Sequence, residues 1–361
     1  MKRALLIGPL PPPIGGSEVL TLNVSRSAQW GAHGIELECI DTSPGDRVRA
    51  PEEALGPGDV LRGIRVFREL AAKVDRFDAV LLWANHRFIV TAGLAIIAWS
   101  RLRGKPVFVK MFGATLARQI RRMPAPWRRL ALAQLRRCEC VFPETNGLAG
   151  ELVEEGWLPE ARVVVLPNFL PDVSFSAPRT PKRFSGKCVF IGQVKREKGV
   201  FDIVEALGKG GRGSCDFYGP IIPRDREVFL EAVSRRPNLS YKGLLEPSSV
   251  IATAASYDVM LLPTYHSGEG YPAAILEAYA AGIPVITTRW LYLPEIVEDR
   301  TRGLLVPTES PASIAEAIDS LFADQALYES MCANAQSFVR RFSERSILGG
   351  IFIPRVLRAL R

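Results

Sequence analysis

The sequence predicts an α/β chain of two domains, each a parallel sheet covered by helices. Short apolar runs alternate with helical patterns through both halves. Residues 258–287, DVMLLPTYHSGEGYPAAILEAYAAGIPVIT, read without a break as strand, Gly-rich loop, helix and second strand, which is one βαβ unit. At 361 residues, 47% hydrophobic and 23% charged, the chain can bury most of the surface it exposes when unfolded, and it is long enough for two such domains.

In chain order, Arg3–Gly8 is a buried-strand pattern, and its apolar run is too short for the core of a signal peptide. PLPPPIGGSE then makes a stiff turn into a helix from about Glu18 to Trp30. Gly15 and Gly16 precede that helix, where glycine admits a close phosphate and a helix start supplies N–H groups. A plain βα turn explains them equally well. Ile35–Ile40 is the second strand, and residues 41–60, rich in turn formers, read as a mobile loop. A helix near 61–74 and the strand Ala79–Trp83 follow, ending at Asn85-His86. Because open parallel sheets place ligands at the carboxyl ends of strands, His86 is a candidate acceptor-side residue, with a structural histidine as the alternative. An apolar helix near 88–101 and the strand Pro106–Met111 come next. The run Phe88–Trp99 is well under the ~18 residues that cross a bilayer. Cys140–Phe142 and Val163–Leu166 complete the first sheet around a helix near 145–156. The Pro- and Ser-rich stretch 171–186 reads as a linker.

The second half opens with the strand Lys187–Gly192, the basic turn Gln193–Gly199 and a helix Val200–Leu207. Strand ends at Gly219 and at Gly243-Leu244 follow. Then comes the βαβ unit, with Pro272 as first helical residue and Gly282 as its left-handed stop. The free N–H groups near Ala273–Ile275 and the positive end of the helix dipole make an anion seat, bracketed by Glu269 and Glu277. Carboxylates around a bound anion suit a ligand that carries phosphate and hydroxyls together. Alone, Glu269 fits a solvated loop residue and Glu277 a surface helix position. Leu304–Val306 is a last strand, and helices run from about Pro311 to Phe342.

EGYPAAILE, from Glu269 to Glu277, resembles the E-x7-E segment of the family 4 retaining glycosyltransferases, followed by AYAAGIPVI as in that family. The resemblance implies the GT-B fold, two Rossmann-like domains facing across a cleft. The N-terminal acceptor-side domain would span 1–170, joined by a crossing helix at 343–361. The nucleotide-sugar domain would span 187–342. Gly15-Gly16 with Glu18 resembles the family's GG-x-E, and Lys198-Gly199 its G-R-x4-KG motif. Gln193 stands where the family has arginine, so a second charge falls to Arg196 or Lys195, or is absent. Phe112-Gly113 stands where many members have His-Gly.

The resemblance implies a hexosyl transferase that moves sugar with retention from a UDP- or GDP-sugar to a saccharide or lipid-linked acceptor, as in envelope polysaccharide synthesis. Glu269 and Lys198 would be the catalytic pair. Gly15, Gly16, Arg196, Gly219, Leu244, Gly270, Tyr271, Pro272, Ala273 and Glu277 would line the donor, and His86 and Phe112 the acceptor. A sugar-nucleotide epimerase of the same fold and a non-catalytic binding protein are the alternatives. No D-x-D and no zinc spacing occur, so neither metal nor cofactor is expected. Six cysteines without a paired framework suggest reduced thiols and a cytoplasmic location.

The net charge is +8, yet Ala79–Cys138 holds twelve Lys and Arg and no Asp or Glu. Within it, 114–137 reads as two basic helices broken at Pro124 and Pro126, with Trp127, Leu130, Leu132 and Leu135 among arginines. That pattern suits peripheral contact with an anionic membrane at its inner face. Nucleic acid is not expected, since stacking aromatics are nearly absent.

Overall fold

The computed structural model describes residues 1–45, 56–175, 180, 182–208 and 211–361. The chain divides into two compact units, Met1–Phe169 with Glu344–Arg361, and Leu170–Ser343. Half of the loop read at 41–60, namely 46–55, lies outside the described residues, as do 176–179 and 181 of the 171–186 stretch.

The first unit runs β1 (Lys2–Gly8), α1 (Gly16–Ser25), α2 (Ala28–Ala32), β2 (Ile35–Asp41), α3 (Pro57–Lys73), β3 (Ala79–Asn85), α4 (His86–Ile89) and α5 (Ala92–Leu102). It continues with β4 (Val107–Phe112), α6 (Leu116–Arg122), α7 (Ala125–Leu135), β5 (Cys140–Phe142) and α8 (Asn146–Glu154). The strands form one parallel sheet in the order β2-β1-β3-β4-β5. The helix expected from Glu18 to Trp30 is two helices, because the Ser27 side chain accepts the Gln29 N–H (3.1 Å) and starts a new one. The helix expected near 88–101 is likewise divided. The Asn85 side chain caps α4 by accepting the Phe88 N–H (3.0 Å), and α5 begins anew beside Gly93, where a Cβ would sit 2.8 Å from the Phe88 carbonyl. α3 starts earlier than expected, since Pro57 suits a first turn and Asp59 accepts the Gly56 N–H (2.9 Å). The strand expected at Val163–Leu166 reduces to a single bridge, Val141 to Val163. Its Leu166 carbonyl is taken instead by the Lys110 ammonium (2.7 Å).

The C-terminal segment Arg345–Phe352 is π-helical and leads into a short final helix, Ile353–Ala359. Phe352 lies edge-on to Trp30, Trp83 and Phe142, with ring centres 6.1, 5.5 and 4.9 Å apart. Fully burying such a ring contributes about 1.5–3 kcal/mol, which holds this segment within the first unit.

The second unit runs β6 (Lys187–Ile191), α9 (Val200–Gly208), β7 (Ser214–Tyr218), α10 (Arg226–Ser234), β8 (Leu239–Gly243), α11 (Val250–Ala254), β9 (Val259–Leu262) and α12 (Ala273–Ala280). β10 (Val285–Thr288), α13 (Leu293–Ile296), β11 (Gly303–Val306), α14 (Pro311–Ala323) and α15 (Gln325–Val339) complete it. Its sheet is parallel throughout, in the order β11-β10-β9-β6-β7-β8. The chain therefore winds one way from β6 and the other way from β9. In open α/β sheets, ligands bind at the carboxyl ends of the two strands where the order reverses. Here those ends are the loops after β6 and β9.

Candidate active site

The two switch-point loops are tied together. Gly199 has φ +74° and lies so close to the β9 loop that a Cβ would sit 2.2 Å from the Pro263 carbonyl, so only glycine fits there. The Tyr265 N–H donates to the Glu197 carbonyl (2.9 Å). The β9 loop is pinned from the other side, where the Trp290 indole donates to the His266 carbonyl (2.9 Å) and the Thr288 hydroxyl donates to the Thr264 carbonyl.

This closeness brings Lys198 against Glu269, with Nζ 2.6 Å from Oε2. The Thr264 hydroxyl donates to the same oxygen (2.8 Å), and Glu269 Oε1 has no partner among the described residues. Burial alone would raise the Glu269 carboxyl, but the Lys198 charge and the hydrogen bonds from Lys198 and Thr264 outweigh it and hold it below the usual range. Lys195 stands next to this pair, 3% exposed, with its ammonium 3.2 Å from His266 Nδ1. Burial first, and then the Lys198 charge, bring Lys195 down to about 8. His266 is pushed down to about 4 by burial and the adjacent lysines, so the neutral ring accepts from Lys195 at Nδ1.

Arg196 is not in this group. Its guanidinium stacks on the Phe201 ring at 4.3 Å, while its backbone N–H donates to the Asp225 carboxylate (2.8 Å). The reason is local: Lys195 is extended, at φ −154° and ψ 156°, so consecutive side chains leave in opposite directions. Of the two residues that could replace the arginine missing at Gln193, the fold gathers Lys195 with Lys198. His266 and Thr264 went unread in the sequence, although both sit in the loop between β9 and α12.

α12 begins at Ala273, with Pro272 one place earlier than expected, as the cap at φ −60° and ψ 120°. The Ile275 N–H is already bonded to the Pro272 carbonyl (3.1 Å), which leaves Ala273 and Ala274 as the open donors of the expected three. Glu277 is half-buried, with no hydrogen-bond or ion-pair partner among the described residues, and burial pushes its carboxyl up to about 7. Gly270 is buried in the same loop. Tyr271 points inward instead, 7% exposed and stacked on Phe342 at 5.5 Å. Gly219 packs against backbone, since a Cβ there would meet the Gly192 carbonyl at 2.0 Å, and Leu244 is exposed.

In the first unit, Gly15 caps α1, and the Glu18 carboxylate folds back so that a Cβ on Gly15 would lie 2.4 Å from it. The helix start is thus covered by its own acid, while Gly16 faces open space. His86 opens α4 with Nδ1 on the Thr115 hydroxyl, and burial lowers it to about 4. Phe112 is turned into the domain, its ring edge-on to Trp83.

The two parallel six- and five-stranded sheets, the first ordered about a β6/β9 switch point, define the class: two Rossmann-like domains of the GT-B fold. Solved structures of that fold match over nearly the whole chain. One from Anabaena, Alr3699/HepE in complex with UDP, has a TM-score of 0.74 at 15% identity, covering 99% of this chain and 100% of its own. Sucrose-phosphate synthase from Thermosynechococcus elongatus has a TM-score of 0.76 at 17% identity, covering 100% of each. Residues 182–338, most of the second unit, match the family model "Glycosyl transferases group 1".

Curated relatives include the putative colanic acid biosynthesis glycosyltransferase WcaL of Escherichia coli, 27% identical over 50% of this chain and 47% of its own length. A D-inositol 3-phosphate glycosyltransferase of Corynebacterium kroppenstedtii is 34% identical over 43% of this chain and 36% of its own. The chain thus spans about half or less of the curated relatives it first matches.

Proposed function

We propose that the chain is a retaining glycosyltransferase, of hexosyl type, that takes sugar from a UDP- or GDP-sugar and needs no divalent cation. The observation that carries this is the pair of lysines, Lys198 and Lys195, gathered with Glu269 at the point where the β6–β9 order reverses. Their ammonium groups and the open N–H groups of Ala273 and Ala274 face the same need, the charge that grows on a departing diphosphate. Fixed cations aimed at that charge do the work a metal does elsewhere.

Glu269 is suited to hold the sugar. One oxygen is fixed by Lys198 and Thr264, and the other is free to accept a sugar hydroxyl. Glu277, without a partner among the described residues, is suited to the ribose hydroxyls. In the retaining route the acceptor enters on the face the diphosphate leaves, with a phosphate oxygen as base, so no protein base is required there. UDP in the Anabaena structure supports uridine as the base. On the first unit, His86 stays the acceptor-side candidate, neutral and oriented by Thr115. The name of one relative, a putative colanic acid biosynthesis glycosyltransferase, supports a saccharide acceptor; a lipid-linked saccharide in envelope polysaccharide synthesis is the form proposed for it.

Incubation with UDP- and GDP-sugars in the presence of a chelator tests this reading. It expects free UDP or GDP to appear; release that requires added metal, or no release from either set with any acceptor fraction, contradicts it.

A further inference from the structure

α3 has two apolar faces. Val66 and Leu70 are buried against the domain, whereas Val60, Leu61 and Ile64 are 59%, 67% and 51% exposed. Their spacing of one and three residues puts these three on one outward stripe of the first two turns. α7 does the same at its start: Ala131 and Leu135 face inward, and Trp127 and Leu130 stand 44% and 43% exposed.

Both stripes flank one place in the fold. A Cβ on Gly63 would lie 3.3 Å from the Ala92 Cβ at the start of α5, and the Trp127 indole donates to the Val90 carbonyl (3.0 Å) two residues before it. Helices that cross back between parallel strands begin near the strands' carboxyl ends, so this is the ligand-bearing rim of the first sheet. Large apolar side chains gathered on an otherwise water-facing surface mark an interaction site.

The charges around them select the partner. Several cations of the basic window are already used inside the unit. Lys110 is fully buried on Glu144, Arg101 pairs with Glu139, Arg121 with Glu151 and Glu155, and Arg103 with Asp75. Arg122, Arg128 and Arg129, beside Trp127 and Leu130, have no partner among the described residues. Arg62 on α3 neutralises Asp59 (2.6 Å), the acidic residue next to Val60.

We infer that the starts of α3 and α7 together form a docking surface for an anionic lipid bilayer, with Val60, Leu61, Ile64, Trp127 and Leu130 entering the boundary of the acyl chains and Arg122, Arg128 and Arg129 meeting the lipid phosphates. An apolar patch alone suits a protein, and an arginine cluster alone suits a nucleic acid. Apolar side chains ringed by unpaired arginines match the layered chemistry of headgroup over hydrocarbon. The inference does not depend on the donor site, because bilayer contact needs no sugar transfer.

The test is sedimentation of the full chain with phosphatidylglycerol-containing vesicles and with pure phosphatidylcholine vesicles, at low and high salt. About tenfold stronger partition to the anionic vesicles at low salt is expected, declining as salt screens the arginines. The double substitution Leu61→Ser with Ile64→Ser and the separate pair Arg128→Gln with Arg129→Gln are each expected to weaken partition about tenfold, with wild-type melting temperatures showing that both variants fold. No anionic preference in the wild type overturns the inference, as does partition that the α3 pair leaves unchanged. It is also overturned if sedimentation velocity shows that these α3 side chains are consumed in a dimer of the chain.

Discussion

Each unit sets a buried or half-buried lysine beside a glutamate, Lys110 within β4 and Lys198 in the turn after β6, and the two pairs differ in what is left over. In the first unit, Lys110 is 0% exposed and fully engaged, on the Glu144 carboxylate (3.3 Å) and the Leu166 carbonyl (2.7 Å), while Glu144 also accepts the Gly113 N–H (3.0 Å). In the second, Lys198 and Glu269 meet at 2.6 Å, but among the described residues Glu269 keeps an unused oxygen and Glu277 has no partner, and a second ammonium stands beside them. A closed pair holds a fold together. An open one has hydrogen-bonding capacity to offer a ligand, at some cost in stability to the free protein.

The contrast can be broken most forcefully at the closed pair. Glu144→Ala strands a buried ammonium and is expected to destabilise the first unit by about 3–5 kcal/mol, read by chemical denaturation. UDP affinity in the surviving folded fraction should stay within twofold of wild type. At the open pair, Glu269→Gln should lower turnover by about 10²–10³ and leave UDP binding nearly unchanged, with a stability loss smaller than at Glu144 because Lys198 keeps partial access to water. A stability loss there as large as at Glu144 would erase the distinction.

Lys195 sharpens the comparison through pH. It is protonated below about 8, in a setting that includes Lys198, Glu197, Glu269, His266 and Arg224. UDP binding by the wild type should therefore weaken as pH rises from 7 to 9, and Lys195→Ala should bind about tenfold more weakly at pH 7 and lose that dependence. A wild type that binds equally at both pH values would show that this ammonium does not hold the phosphates.

The smallest effect is expected at Glu277. Its folded carboxyl titrates at about 7, above the ordinary 4.5, so the folded state holds its proton longer and stability declines as pH rises through that interval. Glu277→Gln should accordingly raise stability by about 1 kcal/mol at pH 8, roughly 2–4 °C in melting temperature, and change nothing at pH 4. The same variant should bind UDP more weakly, which separates an orphaned ligand group from a merely tolerated one.

The candidate site was partly legible in the sequence because its residues lie in two contiguous stretches, GQVKREKG and EGYPAAILE, each following a strand. What those stretches could not reveal was direction. Lys195 and Arg196 are neighbours of equal charge, and only the extended backbone at Lys195 sends one toward His266 and the other onto Phe201. The first unit was harder to read for a related reason. Phe112 ends a strand as an exposed ligand residue would, yet its ring turns to Trp83. Lys110 is one of the twelve cations of the basic window, and a charge count does not show that it is buried on Glu144, 34 residues away. The outward stripe on α3 begins next to a stretch dominated by turn formers, which masked its helical spacing. Most strand positions came through well, since parallel strands that are buried on both faces leave uninterrupted apolar runs.

Calorimetric titration of UDP into the wild type and Lys198→Ala at pH 7 tests the β6–β9 diphosphate seat most directly. The account predicts binding by the wild type and a loss of at least about tenfold on removing that ammonium, with the fold intact by thermal melting. Equal affinity in the two proteins would contradict it.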